Sequence, residues 1–571
     1  MATLFEQLET LYKYELYSNA KQLANLILSI YESNRFLLTP QEHFQTLIYY
    51  AESLYHERQY REAEGFFRQA LCVKKVVTKA KGSNKLEPSD PHSEMEIKYK
   101  IAKCLVENKH LRDAVSTLQS ITMKQRTPKV NMLLGKLLHN SGNDRTAIGA
   151  YKEVLKDCPL AFEAIEGLIT IGVKGIDVNS LILDASGAIQ CSDWLSSWIK
   201  AHANIHARKY SEAIQTLRGL ENNTVLKNYH QLLVLIGECY YHNGEYDNAY
   251  AYLSRAHNLC PYMKNGIQIL AILLSKRNKI NDLEKMIAPT STFPYEYTSE
   301  SWFVMAQYLF ATGKYDKAVY FVQKSCFLNP KNVEALILKA RILLQLKKHN
   351  EAISHLQFAQ QFAPYRYEVH KGLVETLLSM EKLREASSQA SKALRQLGES
   401  PRLLVLCART YLKDIMSKSK AKPLLIRALE LNEYYLPAVF LLCEIYQEDN
   451  ETAEAIKLLK KQVSVQPNCR LYSMLGDILS FEKDQTGALE HYTHALNFDP
   501  NNRRALTGLM ALGHTTGGNL DSSYATISEN EEGNEMQENP LEMIEIPHND
   551  PDPESESDVM WSDVEIDNIN N

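Results

Sequence analysis

The sequence is poor in glycine and proline, with 23 and 19 among its 571 residues. This scarcity of turn-forming residues argues against a chain built from many short strands. No apolar run approaches the roughly 20 residues that a membrane-spanning helix requires, so we expect no membrane partner. The first 20 residues also lack the basic segment and apolar stretch of a secretory signal, and we expect none.

Familiar catalytic and metal-binding motifs are also missing. There is no Gly-rich phosphate-binding loop, no H-E-x-x-H and, among ten scattered cysteines, no C-x-x-C. His202 and His206 lie four apart on a predicted helix but have no third ligand at a fixed spacing, so we interpret them as surface or seam histidines. Cys191 lies near Asp193 without an implied base. We therefore predict a non-enzyme without cofactor or metal, whose thiols are reduced in the cytoplasm and nucleus.

Positive charge is absent from the end of the sequence, because no Lys or Arg follows Arg504. From Asp521 onward there are 16 Asp or Glu residues, whereas the first 504 residues carry a net charge of +10. The basic residues are spread around the helices instead of following a stripe with aromatics, so we expect no nucleic-acid partner. The composition of residues 513–571 is that of a disordered acidic tail.

Three features of this tail are candidates for function. Ser555 and Ser562 each precede an acid at the third following position, which suits an acid-directed kinase and makes them possible phosphosites. Met560 and Trp561 form an apolar pair within the acidic run, which is typical of a short binding motif. The alternative for the whole segment is a solubilising tail.

What the sequence does have is an internal repeat. The length exceeds the roughly 250–300 residues at which a single hydrophobic core stops growing. Alanines recur in a small–large–small pattern, with a period of about 34 residues from Ala318 onward, which is the tetratricopeptide (TPR) period. The first alanines of these units are Ala63, Ala114, Ala147, Ala213, Ala249, Ala318, Ala352, Ala386, Ala421, Ala455 and Ala488.

The pattern predicts an all-α TPR superhelix of about thirteen helix pairs between Phe44 and Asp499. Within a pair, a Gly or Ala on the first helix and an Ala on the second allow close approach. Two pairs are degenerate, near 161–193 and 264–298. We expect an extra N-terminal pair at 3–35, a capping helix at 503–512, and a Lys-rich loop at 74–95 that is solvated or, alternatively, a docking loop.

Apolar residues occupy the sixth position of the first helix in several repeats, where chaperone-binding TPR adaptors carry polar residues. These residues are Leu133, Leu235, Val304, Leu338, Leu441 and Met474. They either belong to the core or line an apolar groove for a partner helix or peptide. A free TPR adaptor that binds a peptide or a C-terminal tail is therefore the alternative function.

Beyond the repeat, several stretches resemble one family. They are QRTPKVNMLLGKLLHNSGNDRTAIGAYKEVLKDCPLAFEAIEGL (125–168), VKG (173–175) leading to DWLSSWIKAHA (193–203), and LYSMLGDIL (471–479) followed by HALNFDPNN and an acidic tail. The chain resembles the subunit 7 family of the anaphase-promoting complex (cyclosome) over nearly its whole length. The resemblance implies a non-catalytic scaffold in a ubiquitin ligase that marks mitotic regulators, homodimeric and bound to sister TPR subunits in the nucleus and cytoplasm.

We divide the chain into four regions. Residues 1–170 are predicted to form the homodimer, 171–298 hold the central repeats, 299–512 the C-terminal array, and 513–571 the tail. Phe44, Tyr49, Tyr50, Tyr55 and Tyr60 form an aromatic stretch and are candidates for the dimer contact. Packing within one chain is the alternative role for them.

Overall fold

A computed structural model describes residues 3–81, 93–186, 193–291 and 298–516, and these residues contain helices and no strand. They divide into two compact units, one ending at Leu431 and the other beginning at Asn432. The all-α TPR architecture predicted from the repeat is confirmed. Within these ranges no helix is both long enough and apolar enough to cross a membrane.

The first unit contains 24 α-helices among its described residues. They are α1 Leu4–Lys13, α2 Tyr17–Ser33, α3 Pro40–His56, α4 Tyr60–Lys81, α5 Glu94–Glu107, α6 Leu111–Gln119, α7 Pro128–Asn140, α8 Asp144–Asp157, α9 Phe162–Ile171, α10 Gly175–Ser186, α11 Asp193–His206, α12 Tyr210–Asn223, α13 His230–Asn243, α14 Tyr246–Leu259, α15 Ile267–Lys276, α16 Ile280–Ser291, α17 Ser299–Ala311, α18 Tyr315–Leu328, α19 Val333–Gln345, α20 His349–Phe362, α21 Tyr367–Ser379, α22 Leu383–Leu397, α23 Pro401–Lys413 and α24 Ala421–Leu431. Short 3-10 helices occur at Met123–Gln125, Val225–Asn228 and Ile415–Lys420.

The second unit contains five α-helices in its described part. They are α25 Leu436–Glu448, α26 Thr452–Val465, α27 Cys469–Phe481, α28 Gln485–Phe498 and α29 Arg503–Thr516. Helices α3 to α28 make thirteen pairs, as the repeat predicts. The extra N-terminal pair (α1 and α2) and the capping helix (α29) are also present.

Small residues allow the two helices of each pair to approach closely. All eleven alanines of the repeat pattern are fully buried. The glycines of the first helices also face large side chains: a Cβ added to Gly135 on α7 would lie 2.8 Å from the Tyr151 ring on α8. A Cβ on Gly167 of α9 would be 2.8 Å from the other side of the same ring. Tyr151 is therefore held between two helices that only glycine brings close enough.

In most pairs the turn between the two helices contains one residue with positive φ. Glycine supplies it at Gly142, Gly244 and Gly313, with φ values of 76°, 94° and 75°. In other pairs a non-glycine residue takes this left-handed conformation, which costs roughly 1–2 kcal/mol. These residues are Arg58, Lys109, Arg208, Asn278, Lys347, Glu381, Asn450 and Lys483.

One boundary differs from the sequence prediction. Residues 74–81, predicted as part of a Lys-rich loop, form the last two turns of α4. The helix continues because its inner face still packs at this point: Lys74 is buried, with its Nζ 5.3 Å from the centre of the Phe44 ring. Residues 82–92 of the predicted loop lie outside the described residues.

Alanine at Gly135 is expected to destabilise the protein by about 1–3 kcal/mol, because the rigid Tyr151 ring must move away from the added methyl group. Gly149, on the neighbouring helix α8, is the matched control, since no atom lies within 4 Å of an added Cβ there. Gly149→Ala should stabilise by roughly 0.5–1 kcal/mol through helix propensity. Thermal unfolding followed by circular dichroism measures both, and shifts of the same sign would contradict this packing.

Candidate interaction surfaces

The N-terminal helix pair covers the aromatic face of α3. The ring of Tyr12 on α1 stacks on Tyr49, with centroids 4.3 Å apart. The Tyr12 hydroxyl donates a hydrogen bond to Glu52, and Lys100 of α5 forms an ion pair with the same carboxylate. These contacts fix α1 on the first TPR pair, so the pair at 3–35 is an integral part of the first unit.

The aromatic residues predicted for a dimer contact differ in exposure. Phe44, Tyr49 and Tyr50 are buried within the chain, with 6–8% of their surface exposed. Tyr55 and Tyr60 are half-buried and touch each other edge to face, with ring centroids 5.4 Å apart. Packing within one chain thus accounts for three of them, and a contact of these residues with a second chain stays a prediction.

The structure also leaves several apolar side chains exposed on α2 and just before and after it, which the sequence analysis missed. On α2, Ala20, Ala24 and Ile27 face the core, whereas Leu26 is 53% exposed on another side of the helix. Further exposed apolar residues lie at both ends of this helix. We call the set the α2 outer face: Tyr14, Leu16, Leu26, Ile30, Phe36 and Leu37. The signal in the sequence was the number of apolar residues in α2, too many for one buried stripe.

The six apolar residues at the sixth helix position do not form one exposed groove. Val304, Leu338 and Met474 are buried in the core. Leu133, Leu235 and Leu441 are half-buried. The first three thus belong to the core, and groove lining by the other three stays a prediction.

A cluster of charged residues lies among α13, α19 and α21 in the first unit. Arg366, just before α21, forms ion pairs with Glu334 of α19 and, at 3.3 Å, with Glu368 of α21. Burial alone would raise the pKa of Glu368, but Arg366 and nearby His242 hold it below its usual value. Burial raises the pKa of Glu238 on α13 to about 7. The cluster is thus organised around one guanidinium between two carboxylates.

In the same region, a hydrogen bond joins two helices whose bonded residues lie 160 positions apart in the sequence. Arg402 on α23 donates a hydrogen bond from Nη2 to the carbonyl oxygen of His242, at the end of α13. A Cβ on Gly244 would lie 2.7 Å from the Arg402 Nε, so only glycine leaves room for this approach. Nearby, the Arg208 guanidinium lies 3.2 Å from the centre of the Tyr365 ring. We call these two contacts the arginine clasp.

A cavity opens beside the charged cluster. Its lining includes three tyrosines, three cations and three carboxylates: Tyr241, Tyr246, Tyr367, Lys276, Arg341, Lys371, Glu334, Glu368 and Glu375. It has a volume of about 680 Å³ including its open mouth. The sequence analysis missed these residues because they come from α13, α14, α15, α19 and α21, without a shared motif.

The remaining residues considered from the sequence are those for metal binding, thiol chemistry and phosphorylation. His202 is buried with its ring against Trp198, and burial together with His206 lowers its pKa to about 4. In the described ranges no three His, Cys, Asp or Glu side chains are grouped as metal ligands would be. Cys191, Ser555, Ser562 and the rest of the predicted tail from 517 onward lie outside the described residues.

Comparison with known proteins places the chain in a family. It is 33% identical over 508 residues to anaphase-promoting complex subunit 7 of Homo sapiens, covering 87% of this chain and 89% of that protein. The chain belongs to the anaphase-promoting complex subunit 7 family. The Arabidopsis thaliana protein of the same name is 25% identical over 528 residues, covering 89% of this chain and 93% of that protein.

Family models and a solved structure agree with the TPR architecture. Residues 275–359 match the model of anaphase-promoting complex, cyclosome, subunit 3, and residues 230–262 and 470–502 match tetratricopeptide repeats. The crystal structure of the APC/C hetero-tetramer Cut9–Hcn1 superimposes with a TM-score of 0.53 at 15% identity, covering 89% of this chain and 96% of that one. This likeness confirms the fold of the subunit 7 family member as a TPR array.

Gly244→Ala is expected to open the arginine clasp. Its cost is the left-handed strain of about 1–2 kcal/mol plus the displacement of Arg402. Gly313→Ala is the matched control, because Gly313 has the same backbone conformation but no atom within 4 Å of an added Cβ. Hydrogen exchange should become faster in α23 for Gly244→Ala only, and equal exchange in both variants would contradict the clasp.

Proposed function

We propose that the chain is a non-catalytic scaffold subunit of the anaphase-promoting complex (cyclosome), a ubiquitin ligase that marks mitotic regulators for degradation. The observation that carries the proposal is the 33% identity with the human subunit 7 over 89% of that protein. The identity therefore extends along the repeat array instead of being confined to one pair of helices.

The architecture suits a scaffold. Each helix pair of a TPR array contacts its neighbours and leaves two further faces free, so the surface available to partners grows with the number of repeats. Thirteen pairs, an N-terminal pair and a capping helix give this chain a long surface with several exposed aromatic side chains, among them Tyr262 and Phe327. Sister TPR subunits and other subunits of the complex are the proposed partners, in the nucleus and cytoplasm.

Affinity purification of the tagged full chain from mitotic cells tests this assignment. We expect co-purification of the cullin-like and RING subunits and the sister TPR subunits, in an assembly many times heavier than the 65.2 kDa chain. Recovery of chaperones alone, or of the free chain, would refute the scaffold proposal and would favour a free TPR adaptor.

The second part of the proposal is a homodimer formed through residues 1–170. A repeat array has to cover the apolar face at each of its ends, and pairing with a second copy does this. The α2 outer face supports the proposal because Tyr14 is 69% exposed, Leu26 is 53% exposed and Phe36 is 98% exposed. So many large apolar side chains at one end of an array are typical of an interface.

Charge on the α2 outer face is expected to separate the dimer. Leu26→Glu combined with Ile30→Glu places two carboxylates one helical turn apart, and light scattering of the full chain should then give the monomer mass. Phe327→Glu is the matched control: Phe327 is 82% exposed on α18, far along the sequence, and its replacement should leave the mass unchanged. A wild-type chain that is monomeric at every concentration would refute the dimer itself.

A further inference from the structure

Helix α18 in the first unit carries alternating cations and aromatic rings on its outer side. Its inner side packs in the core through Ala318, Val322 and Ser325, which are all fully buried. On the opposite side, four exposed residues follow one another at spacings of three and four, over about 15 Å of helix. We call them the α18 stripe: Lys317, Tyr320, Lys324 and Phe327.

The side chains of the α18 stripe are available for binding. Tyr320 is 56% exposed and Phe327 is 82% exposed. The Nζ of Lys324 lies 5.4 Å from the centre of the Tyr320 ring. Neither Lys317 nor Lys324 has an ion-pair partner in the part of the chain that the structure describes. The stripe therefore combines uncompensated positive charge with apolar surface in water.

Comparison with the other repeats shows that the TPR fold does not require Lys317. This residue is the third of its helix, directly before the repeat alanine, where the helix dipole favours a negative charge. Lysine gives up that stabilisation. Six of the other ten repeats have an acid at the corresponding position: Glu62, Asp113, Glu212, Glu351, Glu385 and Glu454.

The two aromatic positions of the α18 stripe are equally exceptional. The corresponding residues of α20 are Ser354 and Gln361, and none of the other ten repeats has an aromatic residue at either position. A ring that lies mostly in water contributes little to packing within the array. Helix α18 thus departs from the other repeats at three of the four stripe positions, and folding explains none of these departures.

The spacing of the α18 stripe is that of a seam between two helices. Residues at spacings of three, four and three form an a/d pattern, through which one helix packs against another. A partner helix would place apolar side chains on Tyr320 and Phe327, and its carboxylates would pair with Lys317 and Lys324. A second copy of α18 is disfavoured, because its lysines would add like charge to this seam.

The surrounding repeats have charge of the same sign. Between residues 301 and 431 there are 21 Lys or Arg and 10 Asp or Glu. A surface with this excess of positive charge attracts acidic partners and repels basic ones.

We propose that the α18 stripe is a docking surface for an acidic amphipathic helix of a partner protein. Alternating carboxylates and apolar side chains of that helix would meet the lysines and the rings in turn. This inference goes beyond the proposed scaffold function, and it is tested on the isolated full chain, so that its failure leaves the scaffold proposal intact.

Two labelled helical peptides of three heptads test the charge requirement by fluorescence anisotropy, with the full chain as receptor. Both have Leu at every d position, and one has Glu and the other Lys at every a position. A second pair, with the two seam positions exchanged, covers an antiparallel partner. In one of the pairs the acidic peptide should bind at least about tenfold more tightly than the basic one. Equal affinity within both pairs would refute the proposal.

Charge reversal places the binding on α18. Lys317→Glu combined with Lys324→Glu should weaken the acidic peptide at least about tenfold and should strengthen the basic one. The gain of the second peptide shows that the variant is folded. Arg384→Glu combined with Lys392→Glu is the matched control, with the same charge change at exposed positions of α22. Equal loss of the acidic peptide in both double variants would mean attraction by overall charge and would overturn the proposal.

The aromatic half is tested by giving α18 the residues of α20. Tyr320→Ser combined with Phe327→Gln should leave the melting temperature unchanged, because α20 folds with Ser354 and Gln361 at these positions. Binding of the acidic peptide should weaken at least about tenfold through loss of both aromatic anchors. Undiminished binding would overturn the proposal. A single-stranded oligonucleotide that binds as tightly as the acidic peptide, with the same dependence on both lysines, would also overturn it.

Discussion

The close crossing of two helices at small residues is the constraint on which this structure depends. Eleven alanines at the repeat positions are fully buried, and Gly135 and Gly167 enclose the Tyr151 ring from both sides. The same arrangement recurs in the second unit, where a Cβ on Gly476 would lie 2.7 Å from the ring of Tyr492. A larger residue at any of these positions would separate the helices and disturb the next pair, because each pair is the surface on which the following one packs.

Once the crossings are fixed by small residues, the remaining positions are free to differ between repeats. This freedom explains why the interaction surfaces are local. The α2 outer face is apolar, whereas the cavity near α21 combines three cations, three carboxylates and three tyrosines. Arg366 is accommodated there because Glu334 and Glu368 approach from two helices, α19 and α21. Buried charge at this point replaces the apolar seam that joins most other pairs.

Much of the fold was predictable because its cause is periodic. The alanine spacing predicted about thirteen pairs, and the extra N-terminal pair and the capping helix were expected on either side of them. The end of α4 was predicted too early because Lys74 and its neighbours have the polar composition of a loop. In the structure Lys74 packs against Phe44, and the helix continues. The cavity was beyond prediction for another reason: Lys276, Arg341 and Lys371 come together only through the stacking of repeats, which leaves no pattern in the sequence.

The arginine clasp changes how this array of repeats unfolds. In a simple solenoid each repeat is stabilised only by its nearest neighbours, so melting can begin at one pair and stop at the next. Here the end of α13 is also bonded to α23, 160 positions away. Loss of the repeats around His242 therefore removes a contact that stabilises the repeats around Arg402, and the pairs between them form a cooperative block. A destabilising substitution in one of these repeats therefore also destabilises a second repeat that is not its neighbour in the sequence.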